Sequence, residues 1–166
     1  MSRVQLALRV ADLEGSIKFY SKLFDAEPAK RRPGYANFAI AEPPLKLVLI
    51  EGQAGEETRM DHLGVEVAST DDVAQATDRL KTAGLATFEE NDTSCCYALQ
   101  DKVWVHGPGR EPWEVYVVKA DAGQMGTSPA LGDDACCPGQ GGDTADTASP
   151  DAEASAPPAA GCACGG

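Results

Sequence analysis

Two short stretches decide the fold: QLALRV at residues 5–10 and HLGVEV at residues 62–67. In each, large apolar side chains alternate with small or polar ones. Successive side chains of a β-strand point to opposite faces, so this alternation predicts a strand with one buried face. The stretches align with Gln5 and His62 at the same position, which indicates an internal duplication.

The residues after each strand continue the duplication. Asp12, and Ser69 or Thr70, are helix-capping residues that precede apolar residues at helical spacing. Gly84 ends the second helix. Strand candidates follow in both copies, at residues 27–31, 35–40 and 45–51 and at residues 86–90, 96–105 and 113–118. Each copy is therefore predicted to run strand, helix, strand, strand, strand.

The last part of the chain has a different composition. Residues 120–166 contain seven acidic residues, no Lys or Arg, and no Val, Ile, Phe, Trp or Tyr. Such a stretch buries too little apolar surface to offset the entropy of ordering it. We therefore predict a disordered, acidic, cysteine-containing tail at residues 121–166.

The charge of the chain limits its partners. The net charge is -12 at pH 7, and no basic stripe is present, so nucleic acids and anionic membranes are not expected partners. The apolar run at the N-terminus is interrupted by Arg9 and is too short for a signal peptide or a membrane span. The six cysteines are therefore expected in a reducing cytoplasm, where thiols bind metals or do chemistry.

Three polar side chains are candidates for a common site. Gln5 and His62 occupy equivalent places in the duplicated strands, next to the small residues Ala7 and Gly64. Glu114 lies on the last predicted strand. If the two copies curl around a shared cavity, the amide, the imidazole and the carboxylate meet inside it.

The first copy has Lys46 where the second has Glu114, and a protonated lysine cannot be a ligand. Three protein ligands with open positions are the arrangement in which Fe(II) binds both a substrate and O2. We therefore predict that Gln5, His62 and Glu114 are metal ligands. Tyr116, two residues further along the strand, is a candidate for supporting them.

The duplicated pattern, His62 at the start of the second copy, and the closing stretch VWVHGPGREPWEVYVV at residues 103–118 resemble the vicinal oxygen chelate superfamily. That superfamily includes glyoxalases, extradiol dioxygenases and bleomycin-resistance proteins. Within this superfamily, the chain most resembles the organoarsenical carbon-arsenic lyases and the related cadmium-induced proteins. That resemblance rests on Cys95 and Cys96, which follow an insertion at residues 91–94.

The resemblance covers residues 1–120 and implies a fold and a function. The fold would be α+β, with tandem βαβββ modules at about residues 1–52 and 60–119 that form a curled mixed sheet around a metal cavity. The function would be Fe(II)- and O2-dependent cleavage of methyl or aromatic trivalent organoarsenicals to arsenite, in the cytoplasm. Iron would be held by Gln5, His62 and Glu114, which would be the catalytic residues, and arsenic would be held by Cys95 and Cys96. Superfamily members often form dimers, so a homodimer is an expectation.

The adjacent cysteines have a physical logic of their own. A trivalent arsenic atom with one carbon substituent has two exchangeable positions, which two thiolates can fill. Adjacent residues of a regular strand point to opposite faces, so the pair is predicted to lie on an irregular segment. The turn-like composition of residues 91–94 (NDTS) fits this prediction. Lys102 is a candidate for binding an anionic group of the substrate, although a solvated lysine is the simpler interpretation.

Other residues receive less specific predictions. Arg9 and Glu66 occupy equivalent positions and are predicted to form an ion pair between the copies. His106 is expected to be a turn residue. Four cysteines of the tail lack the spacing of a zinc site, and would either capture metalloid or have no role: Cys136, Cys137, Cys162 and Cys164.

Two other functions stay open. A non-catalytic protein would sequester Cd(II) or As(III) with its cysteines and would not need His62 or Glu114. Another enzyme of the superfamily, such as an extradiol dioxygenase or a glyoxalase-like isomerase, would not need the cysteine pair.

Overall fold

The computed structural model describes residues 2–126. Within them the elements follow the predicted order of strand, helix and three strands, twice. They are β1 (Arg3–Val10), α1 (Leu13–Phe24), β2 (Lys30–Arg32), β3 (Tyr35–Ile40), β4 (Leu45–Glu51), β5 (Arg59–Glu66), α2 (Thr70–Thr82), β6 (Thr87–Cys95), β7 (Ala98–His106) and β8 (Pro112–Asp121).

The strands form one mixed sheet in the order β2-β3-β4-β1-β5-β8-β7-β6. The two copies meet at its centre, where β1 and β5 pair antiparallel. β1 and β4 are parallel, as are β5 and β8, and the other neighbours are antiparallel. The predicted α+β fold of two βαβββ modules in a curled mixed sheet is confirmed.

Both helices begin at a capping side chain. The carboxylate of Asp12 accepts a hydrogen bond from the amide of Gly15 at 2.8 Å, and the hydroxyl of Ser69 accepts one from the amide of Asp72 at 3.2 Å. These bonds satisfy amide groups that the first helical turn leaves without a partner. Of the two candidates for the second cap, Ser69 is the one used.

Each helix covers its own module. Apolar side chains of α1 pack with those of β1, β3 and β4, and α2 packs against β7 and β8. Leu6, Leu8 and Val10 of β1 contact the α1 cluster, whereas Ala7 belongs to a cluster on the opposite face. That opposite face is the one left for a cavity. No helix within residues 2–126 has the length and apolar character needed to cross a membrane.

β6 and β7 form a longer hairpin than predicted. β6 runs as far as Cys95, through residues 91–94, which were expected to form a turn. A shift of register within β6 accommodates these residues in an irregular strand. The turn falls instead at Cys96 and Tyr97, which have positive φ angles of 52° and 62°. Two successive residues with positive φ are the geometry of a tight hairpin turn.

A β-bulge interrupts the pairing of β1 and β5. Ala7 pairs with His62, but Leu8 pairs with Met60, so Asp61 has no residue opposite it on β1. A bulge bends its strand and redirects side chains. This one brings the carboxylate of Asp61 within hydrogen-bonding distance of the ring of His62.

Residues 121–126, which the sequence analysis assigns to the tail, are among the residues that the structure describes. β8 continues to Asp121, and the amide of Ala122 donates to the carbonyl of Tyr97 at 2.9 Å. Met125 packs against the cluster that contains Tyr35 and Tyr97. The predictions for residues 127–166, including disorder and the roles of the tail cysteines, lie outside the described residues.

Candidate active site

A cavity of about 220 Å³ lies against the sheet face opposite α1. It is lined by residues from both modules: Arg3, Gln5, Ala29, Lys30, Tyr35, Asn37, Ala39, Lys46, Val48, His62, Glu66, Cys95, Cys96, Ala98, Gln100, Lys102, Glu114 and Val118. The three predicted ligands and the two predicted substrate thiols therefore share one cavity. His106 is exposed at the end of β7 and does not line it.

Three polar atoms in this cavity form a compact triangle. The Nε2 atom of Gln5 lies 3.0 Å from Nε2 of His62 and 2.7 Å from Oε1 of Glu114. The third edge, from His62 Nε2 to Glu114 Oε1, is 3.4 Å. All three residues are at most 4% exposed.

Neighbouring strands position the triangle. Gln5 on β1 pairs with Gly64 on β5, and Gly64 pairs in turn with Glu114 on β8. A β-carbon at position 64 would lie 3.1 Å from the side chain of Glu114 and 3.3 Å from the amide nitrogen of Gln5. Glycine at this position therefore allows the two side chains to approach each other between the strands.

His62 is oriented from behind by Asp61. The Nδ1 atom of the ring lies 2.7 Å from Asp61 Oδ1, and Arg9 donates to the same carboxylate at 2.8 Å. Nδ1 therefore carries a proton, which leaves Nε2 with its lone pair directed at the triangle. Burial lowers the pKa of His62, but the hydrogen bonds with Asp61 and Glu114 raise it to about 9. In the metal-free protein, Nε2 therefore also carries a proton at neutral pH, and a metal ion would have to displace it.

The predicted ion pair between Arg9 and Glu66 is wrong. Arg9 pairs with Asp61, which the bulge has brought to it, and Glu66 pairs with Arg3 and Lys46, each at 3.0 Å. The pairing of Arg9 with Glu66 was predicted from the alternation of a regular strand. The extra residue at the bulge places Asp61 beside Arg9 instead.

Glu114 is held by a buried lysine. Lys102 Nζ lies 2.7 Å from Glu114 Oε2, and the two side chains are 1% and 2% exposed. Burial alone would raise the pKa of Glu114, but Lys102 and His62 hold it well below its usual range. The carboxylate is therefore ionised. The interpretation of Lys102 as a solvated lysine is wrong, because its ammonium is inside the cavity and paired.

The other end of the Gln5 amide contacts a second polar group. The hydroxyl of Tyr116 lies 2.5 Å from Gln5 Oε1 and 3.0 Å from Glu66 Oε2. Lys46 pairs with Glu66 and lies 4.9 Å from the centre of the Tyr116 ring. Burial, with the nearby carboxylates of Glu114 and Glu66, raises the pKa of Tyr116 well above its usual value, so the phenol keeps its proton.

The two thiols lie at the hairpin turn. Cys95 Sγ and Cys96 Sγ are 3.4 Å apart, with Cys95 buried and Cys96 partly exposed. The positive φ of Cys96 breaks the strand alternation, so adjacent side chains can lie on the same side. Tyr97 holds the turn against the first module, because its hydroxyl donates to the carbonyl of Pro33 at 3.1 Å. The prediction of an irregular segment agrees with this geometry, although the turn is two residues later than expected.

The triangle has the dimensions of a metal site. Three ligand atoms at adjacent corners of an octahedron, about 2.1 Å from a divalent ion, lie about 3.0 Å apart. The edges of 2.7, 3.0 and 3.4 Å are close to this value. The corner atom of Gln5 is the amide nitrogen, which is a donor, so the amide oxygen would have to take its place to bind a metal. Within residues 2–126, no group of three or more His, Cys, Asp or Glu side chains could hold a metal ion. A metal site here therefore depends on the amide of Gln5 as its third ligand.

Among the residues in and beside the cavity that the sequence does not predict are Asp61 and Gln100. Asp61 was missed because a regular strand would point it away from His62. Gln100 was missed although it lies two residues from Lys102 on β7, a spacing that places both on one face. Gln100 lines the cavity, is 5% exposed, and its Oε1 atom has no hydrogen-bond partner among the described residues.

The fold, with its two βαβββ modules around one cavity, was compared with known protein families and solved structures. The sequence pattern of the Glyoxalase/Bleomycin resistance protein/Dioxygenase superfamily matches residues 3–116. The chain therefore belongs to this superfamily, as the sequence analysis predicted. The Mn(II)-bound glyoxalase from Novosphingobium aromaticivorans shares the fold, with a TM-score of 0.53 at 20% identity over 77% of this chain and 44% of that chain.

Two relatives place the chain more narrowly. The trivalent organoarsenical cleaving enzyme of Thermomonospora curvata is 70% identical over 137 residues, which cover 82% of this chain and 89% of that protein. The cadmium-induced protein CadI of Mycobacterium tuberculosis is 58% identical over 146 residues, which cover 84% and 95%. Within the superfamily, the chain belongs with the organoarsenical cleaving enzymes and CadI.

Proposed function

We propose that this protein is a cytoplasmic enzyme that cleaves the carbon-arsenic bond of methyl or aromatic trivalent organoarsenicals and releases arsenite, with Fe(II) and O2. The observation that carries the proposal is a single cavity that holds both the ligand triangle and the adjacent thiols. The relative from Thermomonospora curvata, at 70% identity, is named for organoarsenical cleavage.

Gln5, His62 and Glu114 would hold the iron. When bound there, Fe(II) would supply open coordination positions for O2. The chain contributes orientation: Asp61 keeps the lone pair of His62 Nε2 directed inward, and Lys102 keeps the carboxylate of Glu114 ionised and fixed. Burial of all three ligands keeps bulk water away from the reacting atoms.

Cys95 and Cys96 would hold the arsenic. An organoarsenical with two hydroxyl groups on arsenic can exchange both, because each thiol displaces one hydroxyl and releases one water molecule. The thiolate is the reactive form, and the buried ammonium of Lys102 lies close enough to interact electrostatically with both cysteines. Two sulfur bonds leave only the carbon substituent free to turn toward the triangle.

Tethering also explains how the reaction would be accelerated. Both sulfurs and the ligand triangle line the same cavity, so a bound arsenical cannot diffuse away from the metal site. Holding reactants together replaces an encounter in solution by an oriented contact, which contributes several kcal/mol to lowering the barrier. Val48 and Val118 supply wall area for the organic substituent.

The direct test is to incubate iron-loaded protein with methylarsonous acid, with and without air, and to measure released arsenite. We expect arsenite only in the presence of both Fe(II) and O2. A matched sample carrying Glu114→Ala should release none, because alanine offers no ligand atom. Equal release without O2, or without iron, would contradict the proposed chemistry.

A second candidate function is non-catalytic binding of Cd(II) or As(III) by thiols. It is favoured by the pair of sulfurs 3.4 Å apart and by the relationship to the cadmium-induced protein CadI. It predicts stoichiometric binding without product, and binding that survives His62→Ala and Glu114→Gln. An extradiol dioxygenase or a glyoxalase-like isomerase, in contrast, would work without Cys95 and Cys96.

A further inference from the structure

The hydroxyl of Tyr116 lies between two acceptors but has only one hydrogen to donate. Gln5 Oε1 is 2.5 Å from it and Glu66 Oε2 is 3.0 Å from it. A hydroxyl also has lone pairs, so it can donate to one neighbour while it accepts from another. Tyr116 therefore donates to Gln5 if the amide oxygen faces it, and accepts from Gln5 if the amide nitrogen faces it.

Glu66 is the better acceptor of the two. It is paired with Arg3 and Lys46, each at 3.0 Å, which keeps it ionised. A hydrogen bond to a charged carboxylate is roughly twice as strong as one between neutral groups. The hydrogen of Tyr116 is therefore expected to point to Glu66, so that a lone pair of its oxygen faces Gln5.

A lone pair on Tyr116 is best matched by the amide nitrogen of Gln5. In the structure the nitrogen instead faces the triangle, where it donates to Glu114 at 2.7 Å and lies 3.0 Å from His62 Nε2. Half a turn of the amide exchanges its two ends. Nε2 then donates to Tyr116, and Oε1, which can bind a metal, takes the corner of the triangle.

We propose that Tyr116, directed by Glu66, is the positioning residue that turns the oxygen of the Gln5 amide toward the metal site. Gln5 has two positions, one with nitrogen and one with oxygen in the triangle. The bond from Tyr116 to Glu66 stabilises the second. An imidazole at position 5 would not need this control, whereas an amide does, because only one of its two ends is a ligand. The inference rests on the proposed metal site.

The test measures metal binding, apart from catalysis. Fe(II) affinity is determined without O2, by competition with a chromogenic chelator, for the wild type and for Tyr116→Phe. We expect the variant to bind Fe(II) about 10–100-fold more weakly, the usual cost of removing a partner that orients a ligand. The d–d absorption of the Co(II)-loaded protein should change as well, because the amide ligand is bound differently.

Tyr35→Phe is the matched control. Tyr35 is also a buried tyrosine that lines the cavity, but its hydroxyl accepts from Asn37 at 2.8 Å and is not hydrogen-bonded to any ligand of the triangle. Its Fe(II) affinity should stay within about twofold of the wild type. Circular dichroism and thermal melting confirm that both variants are folded.

Tyr116→Phe in a Gln5→Glu variant tests whether Tyr116 acts by orienting the amide of Gln5 or only by packing against the site. In Gln5→Glu both ends of the side chain are oxygens, so no end needs to be selected. Adding Tyr116→Phe to Gln5→Glu should therefore change Fe(II) affinity by less than about threefold. An equal loss in both backgrounds would overturn the inference, as would unchanged affinity in Tyr116→Phe.

The outcome also distinguishes this inference from the proposed function. If Gln5→Ala abolishes Fe(II) binding and Tyr116→Phe does not weaken it, the metal site stands and the positioning role is wrong. If the wild type does not bind Fe(II) in the triangle, both are wrong.

Discussion

Asp61 lies between Arg9 and His62 and is hydrogen-bonded to both. Its side chain is fully buried, and so is most of the guanidinium of Arg9. The carboxylate makes Nε2 the free nitrogen of the ring and fixes the plane in which its lone pair lies. Although Asp61 does not line the cavity, it decides what His62 can do there.

We expect Asp61→Asn to weaken Fe(II) binding by about 10–100-fold, because a neutral amide is a poorer partner for Nδ1–H. It should also destabilise the fold by about 3 kcal/mol, because Arg9 is left buried without its counter-charge. Asp101→Asn is the matched control: Asp101 is equally buried but binds Thr70 and Lys119 outside the cavity. If both variants lose stability but neither loses Fe(II) affinity, Asp61 does not orient His62 for metal binding.

The pKa of His62 predicts a pH dependence for the metal-free protein. Its value of about 9 lies above the ordinary value of 6.5, so the folded state binds the proton more tightly than the unfolded state does. The resulting stabilisation is fully present below about pH 6.5 and is lost as the pH rises toward 9. It amounts to about 3 kcal/mol at most.

Denaturant unfolding of metal-free protein at pH 6.5 and pH 9 measures this loss. His62→Asn lacks the titrating ring and should show a flatter profile. The Fe(II) affinity of the wild type should increase over the same interval, because the proton and the ion compete for Nε2. A wild-type stability that rises between these pH values would show that the sign is wrong.

At the scale of elements, the separation of β1, β5 and β8 sets the size of the triangle. Gly64 lies between Gln5 and Glu114 in the sheet, and a β-carbon there would be 3.1 Å from Glu114. Such a contact is tighter than ordinary packing, so the side chains of Gln5 and Glu114 would have to move apart by a few tenths of an ångström.

We therefore expect Gly64→Ala to lower Fe(II) affinity by about tenfold while the protein stays folded. Isothermal titration without O2 would measure this. Gly123→Ala is a suitable control, because a β-carbon at Gly123 meets no atom within 4 Å. Unchanged affinity in Gly64→Ala would mean that the strands adjust without moving the ligands.

The hairpin of β6 and β7 is the second element that matters, because it carries the thiols. We expect Cys95→Ser and Cys96→Ser each to abolish arsenite release, since one sulfur cannot replace both exchangeable groups on arsenic. Iron content should be unchanged, because neither sulfur is part of the triangle. Elemental analysis and an arsenite assay on the same sample distinguish the two effects, and full activity in either variant would rule out the tether.

The amino-acid sequence was sufficient to predict the order of elements and the meeting of Gln5, His62 and Glu114. Both follow from the duplicated alternation of β1 and β5 and from the alternation of the last strand, β8. It was not sufficient for the Asp61 bulge or for the turn at Cys96. These depend on register, which is decided by pairing with another strand. Local composition does not contain that information.

For the whole molecule, the triangle joins the two modules, since one of its three side chains belongs to the first module and two belong to the second. A bound ion therefore links both halves of the sheet. At a free concentration 100 times its dissociation constant, Fe(II) should stabilise the fold by about 2.7 kcal/mol. Anaerobic thermal melting should show this shift in the wild type and not in Gln5→Ala.

The charge of the cavity contrasts with that of the chain. Among the described residues that line it are the four cations Arg3, Lys30, Lys46 and Lys102, and the two carboxylates Glu66 and Glu114. The whole chain carries a net charge of -12. An anionic arsenical is therefore repelled at long range and attracted on contact. Added salt screens the long-range repulsion more than the attraction by the cavity cations. Such a substrate would therefore be captured faster at moderate ionic strength than in dilute buffer.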